Sequence, residues 1–77
     1  MKKNISLVQL KAGSKARIID ILGGGSLENK LMNMGIYKNK EISKLSHIGL
    51  RGPVVIKVAR TILALGHGIA EKIIVEE

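Results

Sequence analysis

Gly23-Gly24-Gly25-Ser26-Leu27-Glu28-Asn29-Lys30-Leu31-Met32-Asn33-Met34-Gly35 is the stretch whose reading decides the fold. Three consecutive glycines reach backbone angles closed to other residues and end whatever precedes them. Ser26 reads as an N-cap, its hydroxyl accepting a free amide of the first turn. Glu28 then sits in that turn, where the helix dipole favours a negative charge. Leu27, Leu31 and Met34 fall at i, i+4 and i+7, one apolar stripe, and Gly35 stands at the usual C-terminal cap. So short a helix does not hold alone in water, so its stripe must rest on the segments that flank it.

Those segments read as strands. Lys15 to Leu22 begins with alternation, Lys15 and Arg17 against Ala16 and Ile18, which Ile19, Ile21 and Leu22 then break. A bulge produces that change, and so does a strand end covered by the helix. After the helix, Asn39 suits a turn because it tolerates left-handed angles, and Lys40 to Ser46 is a second strand. Val54–Val58 and Thr61–Leu65 are rich in β-branched residues, and Ala59-Arg60 between them is the length of a tight hairpin. Gly66–Ala70 allows one helical turn, and Ile73–Val75 closes the chain as a last strand. At the other end, Met1–Asn4 is a loose basic start, Ile5, Leu7 and Leu10 anchor an arm, and Lys11–Ser14 is a turn. Five short strands and one inserted helix fit a small, partly open β-barrel with the helix plugging or flanking one end.

Seventy-seven residues make a single domain. A chain of this size hides only about 60% of its unfolded surface. With no cysteine, neither a disulfide nor a thiolate metal site can staple it, which fits a reducing compartment. No apolar run reaches the ~18 residues that cross a bilayer, so the reading is a soluble, cytoplasmic protein. Thirteen Lys and Arg against six Asp and Glu give a formal charge of +7, which points to an acidic partner: nucleic acid, an anionic membrane surface or a protein. Tyr37 is the sole aromatic residue, which argues against stacking single-stranded bases or docking proline-rich peptides.

The ordered set Ala16-Arg17-Ile18, Gly23-Gly24-Gly25, Leu31-x-x-Met34-Gly35-Ile36, Gly52-Pro53 before Val54–Val58, Leu63-Ala64-Leu65 and Ala70-Glu71-Lys72-Ile73 resembles the FeoA family of bacterial ferrous-iron transport proteins. The similarity runs from about Leu7 to Val75 of a single FeoA-like domain, 1–77. It implies an SH3-like barrel, mainly β with one short helix. It also implies a cytoplasmic accessory protein that binds the membrane transporter FeoB, tunes Fe(II) uptake and lies peripheral to the inner membrane when bound. A related barrel is fused to metal-dependent repressors of the DtxR type, so weak transition-metal binding is compatible with the fold. Two turns depart from the family pattern: Lys38-Asn39 stands where relatives commonly have Pro-Gly, and Arg60 where they commonly have Gly.

No enzyme is expected, since there is no cysteine, no serine in a nucleophile turn and no recognisable carboxylate pair. No cofactor is expected either. The triple glycine could cradle a phosphate at the helix start, but it lacks the Lys and Ser or Thr spacing of a P-loop. His47 and His67, with Glu71 one helical turn beyond His67, are the weak metal candidates, and exposed loop histidines are the default reading for them. Met34 belongs to the core stripe. Lys15, Arg17, Lys30, Lys38, Lys40, Lys44, Arg51, Lys57 and Arg60 read as a solvated basic surface, part of which meets an acidic protein face or anionic lipid. The partner face is placed at Leu27, Lys30 and Met32 on the helix, with Arg51 and Arg60. The alternative function is a basic barrel that binds RNA or DNA through phosphates.

Overall fold

The computed structural model describes residues 3–49 and 51–77. Met1 and Lys2, in the expected basic start, and Leu50, in the 47–53 loop, lie outside the described residues. Along the chain come β1 (Asn4–Ser6), a 3-10 turn (Leu7–Gln9), β2 (Lys15–Ile21), α1 (Gly25–Asn33), β3 (Glu41–His47), β4 (Val54–Val58), β5 (Thr61–Leu65), α2 (His67–Glu71) and β6 (Ile73–Glu76). The strands form one antiparallel sheet in the order β1-β6-β2-β3-β4-β5.

Two bulges give the sheet its curl. On β2, Ile18 faces Val75 and Asp20 faces Ile74, so Ile19 is the extra residue, where the sequence alternation breaks. On β3, Lys44 faces Ile56 and Ser46 faces Val55, which leaves Leu45 extra. An extra residue bends its strand and raises the local twist. The curl stops short of closure, and β1 and β5 remain the two edges. The fold is therefore mainly β and SH3-like, with an open seam.

The hydrophobic cluster at the core is aliphatic. Ala16, Ile18 and Ile21 of β2, Ile42 of β3, Val54, Ile56 and Val58 of β4, Leu65 of β5, and Ile73 and Val75 of β6 line the concave face. Leu7, Leu10, Leu31, Ile36 and Ala70 cover them. Alternation accounts for this set, since residues two apart share a face, with the bulge at Ile19 shifting the parity so that Ile21 joins Ile18.

Helix α1 starts two residues earlier than the serine cap requires. Gly24 at φ +91° is the N-cap, no side chain caps the helix, and Ser26 lies inside the first turn. A left-handed glycine turns the chain into the helix without a hydroxyl, so the expected Ser26 cap does not form. The stop is as read. Gly35 at φ +86° donates to the Met32 carbonyl (2.9 Å) and Ile36 donates to that of Leu31 (2.9 Å), a Schellman closure. Leu31 is buried, and Leu27 and Met34 pack against the core.

Six strands stand where five were expected, because the arm Asn4–Ser6 pairs with β6. Ser6 then caps the 3-10 turn. Its Oγ accepts from the Val8 amide (3.3 Å), its own amide donates to Gln9 Oε1 (3.0 Å), and its hydroxyl donates to the Glu71 carbonyl (3.0 Å). That last bond ties the arm to α2.

Candidate functional site: a helix-side cleft and a lysine–histidine cluster

Glycine punctuation places α1 against the end of β2 and leaves a cleft beside it. The cleft holds about 460 Å³ and is lined by Ile21, Glu28, Met32, Tyr37 and Lys38. Ile21 ends β2, Glu28 and Met32 lie one turn apart on α1, and Tyr37 and Lys38 lead into the turn before β3. Its floor is apolar and its rim charged. Met32 is 56% exposed, Leu22 48% and Tyr37 40%, all high for large apolar side chains. Lys38 Nζ lies 3.6 Å from Asp20 Oδ1, and Lys40 Nζ sits 5.8 Å from the Tyr37 ring centroid, within cation–π range. Thus the sole aromatic ring is held from one side by a cation and open on the other. An apolar floor with an adaptable methionine and a charged rim suits a protein segment rather than a small polar substrate.

The sequence-derived partner residues are not all brought together. Met32 lines the cleft, whereas Lys30 is an exposed helix residue outside its lining. Leu27 turns inward and packs on the core, so it gives little surface to a partner. Arg51 lies exposed in the β3–β4 loop and Arg60 in the β4–β5 hairpin, away from α1 in sequence and absent from the cleft. The cleft adds Tyr37, Ile21 and Lys38, which sequence reasoning did not place in a partner face.

A second cluster gathers three groups that were read as surface. Lys44, counted with the solvated basic residues, is 2% exposed. Its Nζ donates to the carbonyls of Leu7 (3.1 Å), Val8 (3.0 Å) and Leu10 (2.7 Å), the exposed end of the 3-10 turn. Carbonyls at a helix end lack partners within the helix, and an ammonium offers three donors in one place. Burial lowers the Lys44 pKa from its ordinary value, since taking a cation out of water disfavours the charged form.

His47 and His67 are not exposed loop residues. His47 ends β3, His67 opens α2, both are half-buried, and their rings stack with centroids 5.7 Å apart at 28°. Lys44 Nζ also lies 3.5 Å from His47 Nδ1, at the outer limit of a hydrogen bond and beyond its three carbonyl partners. His67 Nε2 lies 3.4 Å from Glu71 Oε2, a carboxylate oxygen that accepts from an N–H there. His47 Nε2 and His67 Nδ1 are buried without a hydrogen-bond partner among the described residues. His67, backed by Glu71, has the arrangement usual for a metal ligand; His47, with an ammonium at its other nitrogen, has the opposite. Among the described residues, no group of three or more His, Cys, Asp or Glu side chains is placed to hold a metal ion.

Comparison with known proteins agrees with the fold. The FeoA domain family model matches residues 5–77. A crystal structure of an iron uptake regulatory protein (FeoA) is 29% identical, with a TM-score of 0.86 over 97% of this chain and 99% of that one. The solution structure of iron(II) transport protein A from Clostridium thermocellum is 32% identical with a TM-score of 0.84, covering 94% of this chain and 44% of that one. The NMR structure of a FeoA-like protein from Clostridium acetobutylicum is 28% identical with a TM-score of 0.82, over 97% of this chain and 87% of that one. A manganese-dependent transcriptional repressor shares the fold at 16% identity and a TM-score of 0.85, this chain spanning 42% of it. No curated protein matches the chain. Among the described residues, no helix is long and apolar enough to cross a membrane.

Proposed function

The chain belongs to the FeoA family, which implies a role in ferrous-iron transport, and from that premise we propose that it acts by docking on the cytoplasmic part of a FeoB-type transporter and modulating Fe(II) uptake. It does so without chemistry of its own, working in the cytoplasm and at the membrane face only through its partner. The observation that carries the reading is the cleft beside α1, with Met32 and Tyr37 open to solvent over an apolar floor. Large exposed apolar side chains gathered at a concave surface and rimmed by charge are the anatomy of a protein–protein contact. Lys38 on its rim, and the exposed Lys30 elsewhere on α1, suit an acidic partner, in keeping with the charge of +7. An NMR titration of the labelled chain with the isolated cytoplasmic part of FeoB tests this. Shifts are expected at Ile21, Met32, Tyr37 and Lys38, and loss of capture in Met32→Asp and Lys30→Glu with the fold intact. Capture unchanged in both variants overturns the placement.

One feature favours a second reading. Lys15, Ser43 and Lys57 form a single row across β2, β3 and β4, and a cleft of about 380 Å³ there is also lined by Lys40 and Glu41. Three ammonium groups around a hydroxyl suit a phosphate of RNA or DNA. Such binding falls steeply with salt. A retardation assay that shows no complex at low salt removes this reading.

A further inference from the structure

We propose that the free edge of β5 pairs with β5 of a second copy of this chain, joining two curled sheets across a two-fold axis into one. The two edges of the sheet differ in kind. The β1 edge is only three residues long, is preceded by Lys3, and is fastened beyond its end by the Glu77 amide to the Lys3 carbonyl (3.2 Å). Shortness and adjacent charge are the ordinary protections of an edge. The β5 edge, Thr61-Ile62-Leu63-Ala64-Leu65, is longer and, although Arg60 precedes it, carries within the strand no charge, no proline and no bulge in its register with β4. Ile62 is 62% exposed, the most exposed of the large apolar residues described.

The register fixes which backbone groups are free. Val58 and Thr61 flank the two-residue Ala59-Arg60 loop, so they form a hydrogen-bonded pair, as do Ile56 with Leu63 and Val54 with Leu65. Ile62 and Ala64 therefore direct their N–H and C=O groups away from β4. Among the described residues, none of these groups has another backbone partner.

A second copy fits this edge because the strand is complementary to itself. Antiparallel pairing about an axis through Leu63 sets Ile62 opposite Ala64 of the other copy, and Ala64 opposite its Ile62, closing four backbone hydrogen bonds. A large side chain meets a small one in both rows, so the outer faces interlock without a gap or a clash, while the two Leu63 side chains meet on the inner face. Charge does not oppose this arrangement despite the +7 of each chain. Lys57 lies next to Ile62 on β4, and three strand spacings with a two-residue offset put the two Lys57 positions about 16 Å apart. The two Arg60 positions, six residues apart along the pair, are separated by about 20 Å. Both distances exceed the Debye length of about 8 Å at physiological salt. The area is that of a small, weak interface, so association is concentration-dependent.

Sedimentation velocity on the purified full chain, from low micromolar to about 1 mM, reads this directly. The expected result is a monomer–dimer equilibrium, with Ile62 and Ala64 amides gaining hydrogen-exchange protection as concentration rises. Ile62→Lys raises the dissociation constant at least about tenfold, since the axis introduces the charge twice. Ala64→Pro deletes an outward donor while leaving the β4 ladder whole, and it abolishes the dimer at an unchanged β-sheet circular dichroism spectrum. Three results overturn the proposal: a monomer throughout the range, a dimer that both variants leave intact, or a dimer in which the Ile62 and Ala64 amides exchange freely. All are read without any iron transporter, so they are independent of the docking reading above.

Discussion

Replacing Lys44 by Met removes the charge while keeping the length of the side chain, and the structure sets what that costs. Lys44 Nζ makes three bonds of 2.7–3.1 Å to the carbonyls of Leu10, Val8 and Leu7. Among the described residues, only the Leu7 carbonyl has another donor, the Leu10 amide at 3.3 Å. Hydrogen bonds to a charged group contribute about 1.5–3 kcal/mol each, so the three amount to roughly 5–9 kcal/mol before desolvation. Taking an ammonium out of water costs several kcal/mol, leaving a net loss of about 3 kcal/mol on substitution. For a domain of this size total stability is about 4–12 kcal/mol, so the loss is a large share. It corresponds to a fall in Tm of about 12–24 °C, read by calorimetry or circular dichroism. The pH dependence gives a second arm. Burial lowers the Lys44 pKa below 10.5, so in the window that ends there the unfolded chain binds the extra proton and stability rises with pH. Lys44→Met lacks that gain, so the stability gap between the two proteins widens as pH climbs towards 10. A variant that melts at or above the parent would refute the argument that the carbonyls hold the cation, and a gap that narrows with alkali would refute burial as the dominant influence on its pKa.

Further outcomes follow from the turns and the cleft. Ala59 sits at φ +54°, where an L-residue is strained by about 1–2 kcal/mol. Ala59→Gly relieves that against a chain-entropy cost of 0.5–1 kcal/mol. Its Tm should rise by about 3–6 °C, and a fall would show that the strain is absent. Gly52→Ala should lower stability by about 1–3 kcal/mol, because a Cβ there runs into the Ile48 carbonyl oxygen, and urea unfolding measures it. Ser6→Ala should cost about 1 kcal/mol and raise hydrogen exchange in α2, since that hydroxyl both caps the 3-10 turn and bonds the Glu71 carbonyl.

Most of the sheet was legible because burial alternates along its strands. β4 and β5 have the bounds their β-branched runs suggest, and the bulge at Ile19 stands where the pattern breaks. Asn39 adopts the left-handed turn, at φ +73°. In the hairpin the strained residue is Ala59, next to the Arg60 that departs from the family pattern. The first strand was not legible, because Asn4-Ile5-Ser6 has one apolar residue and gains its place only by pairing with the chain's other end. The cleft was legible in part: Met32 was placed on the outer side of the helix, off the Leu27, Leu31 and Met34 stripe, but Tyr37 and Lys38 reach the cleft through a turn whose path no local pattern records. Lys44 was misjudged although the signal was present. It shares the inward parity of Ile42 on β3, and residue type was allowed to outweigh parity.

That buried lysine also explains how so small a sheet holds without closing. β1 and β5 do not meet, so the barrel lacks the backbone bonds that would seal its seam. Leu7 and Leu10 of the N-terminal strap are instead buried in the core. A strap in that position brings the carbonyls of a 3-10 turn into an apolar setting, where no neighbouring strand can bond them. Lys44, projected inward by the alternation of β3, meets all three, and Ser6 carries the strap on to α2. One cation and one hydroxyl thus connect β3, the strap and α2, in place of a row of ladder bonds. His47 and His67, stacked beside the same ammonium, sit where those three elements join, each with a buried nitrogen that lacks a hydrogen-bond partner among the described residues. The junction that replaces barrel closure is therefore also where this fold has its unsatisfied polar atoms, so the two histidines belong to its structural economy before any ligand is considered.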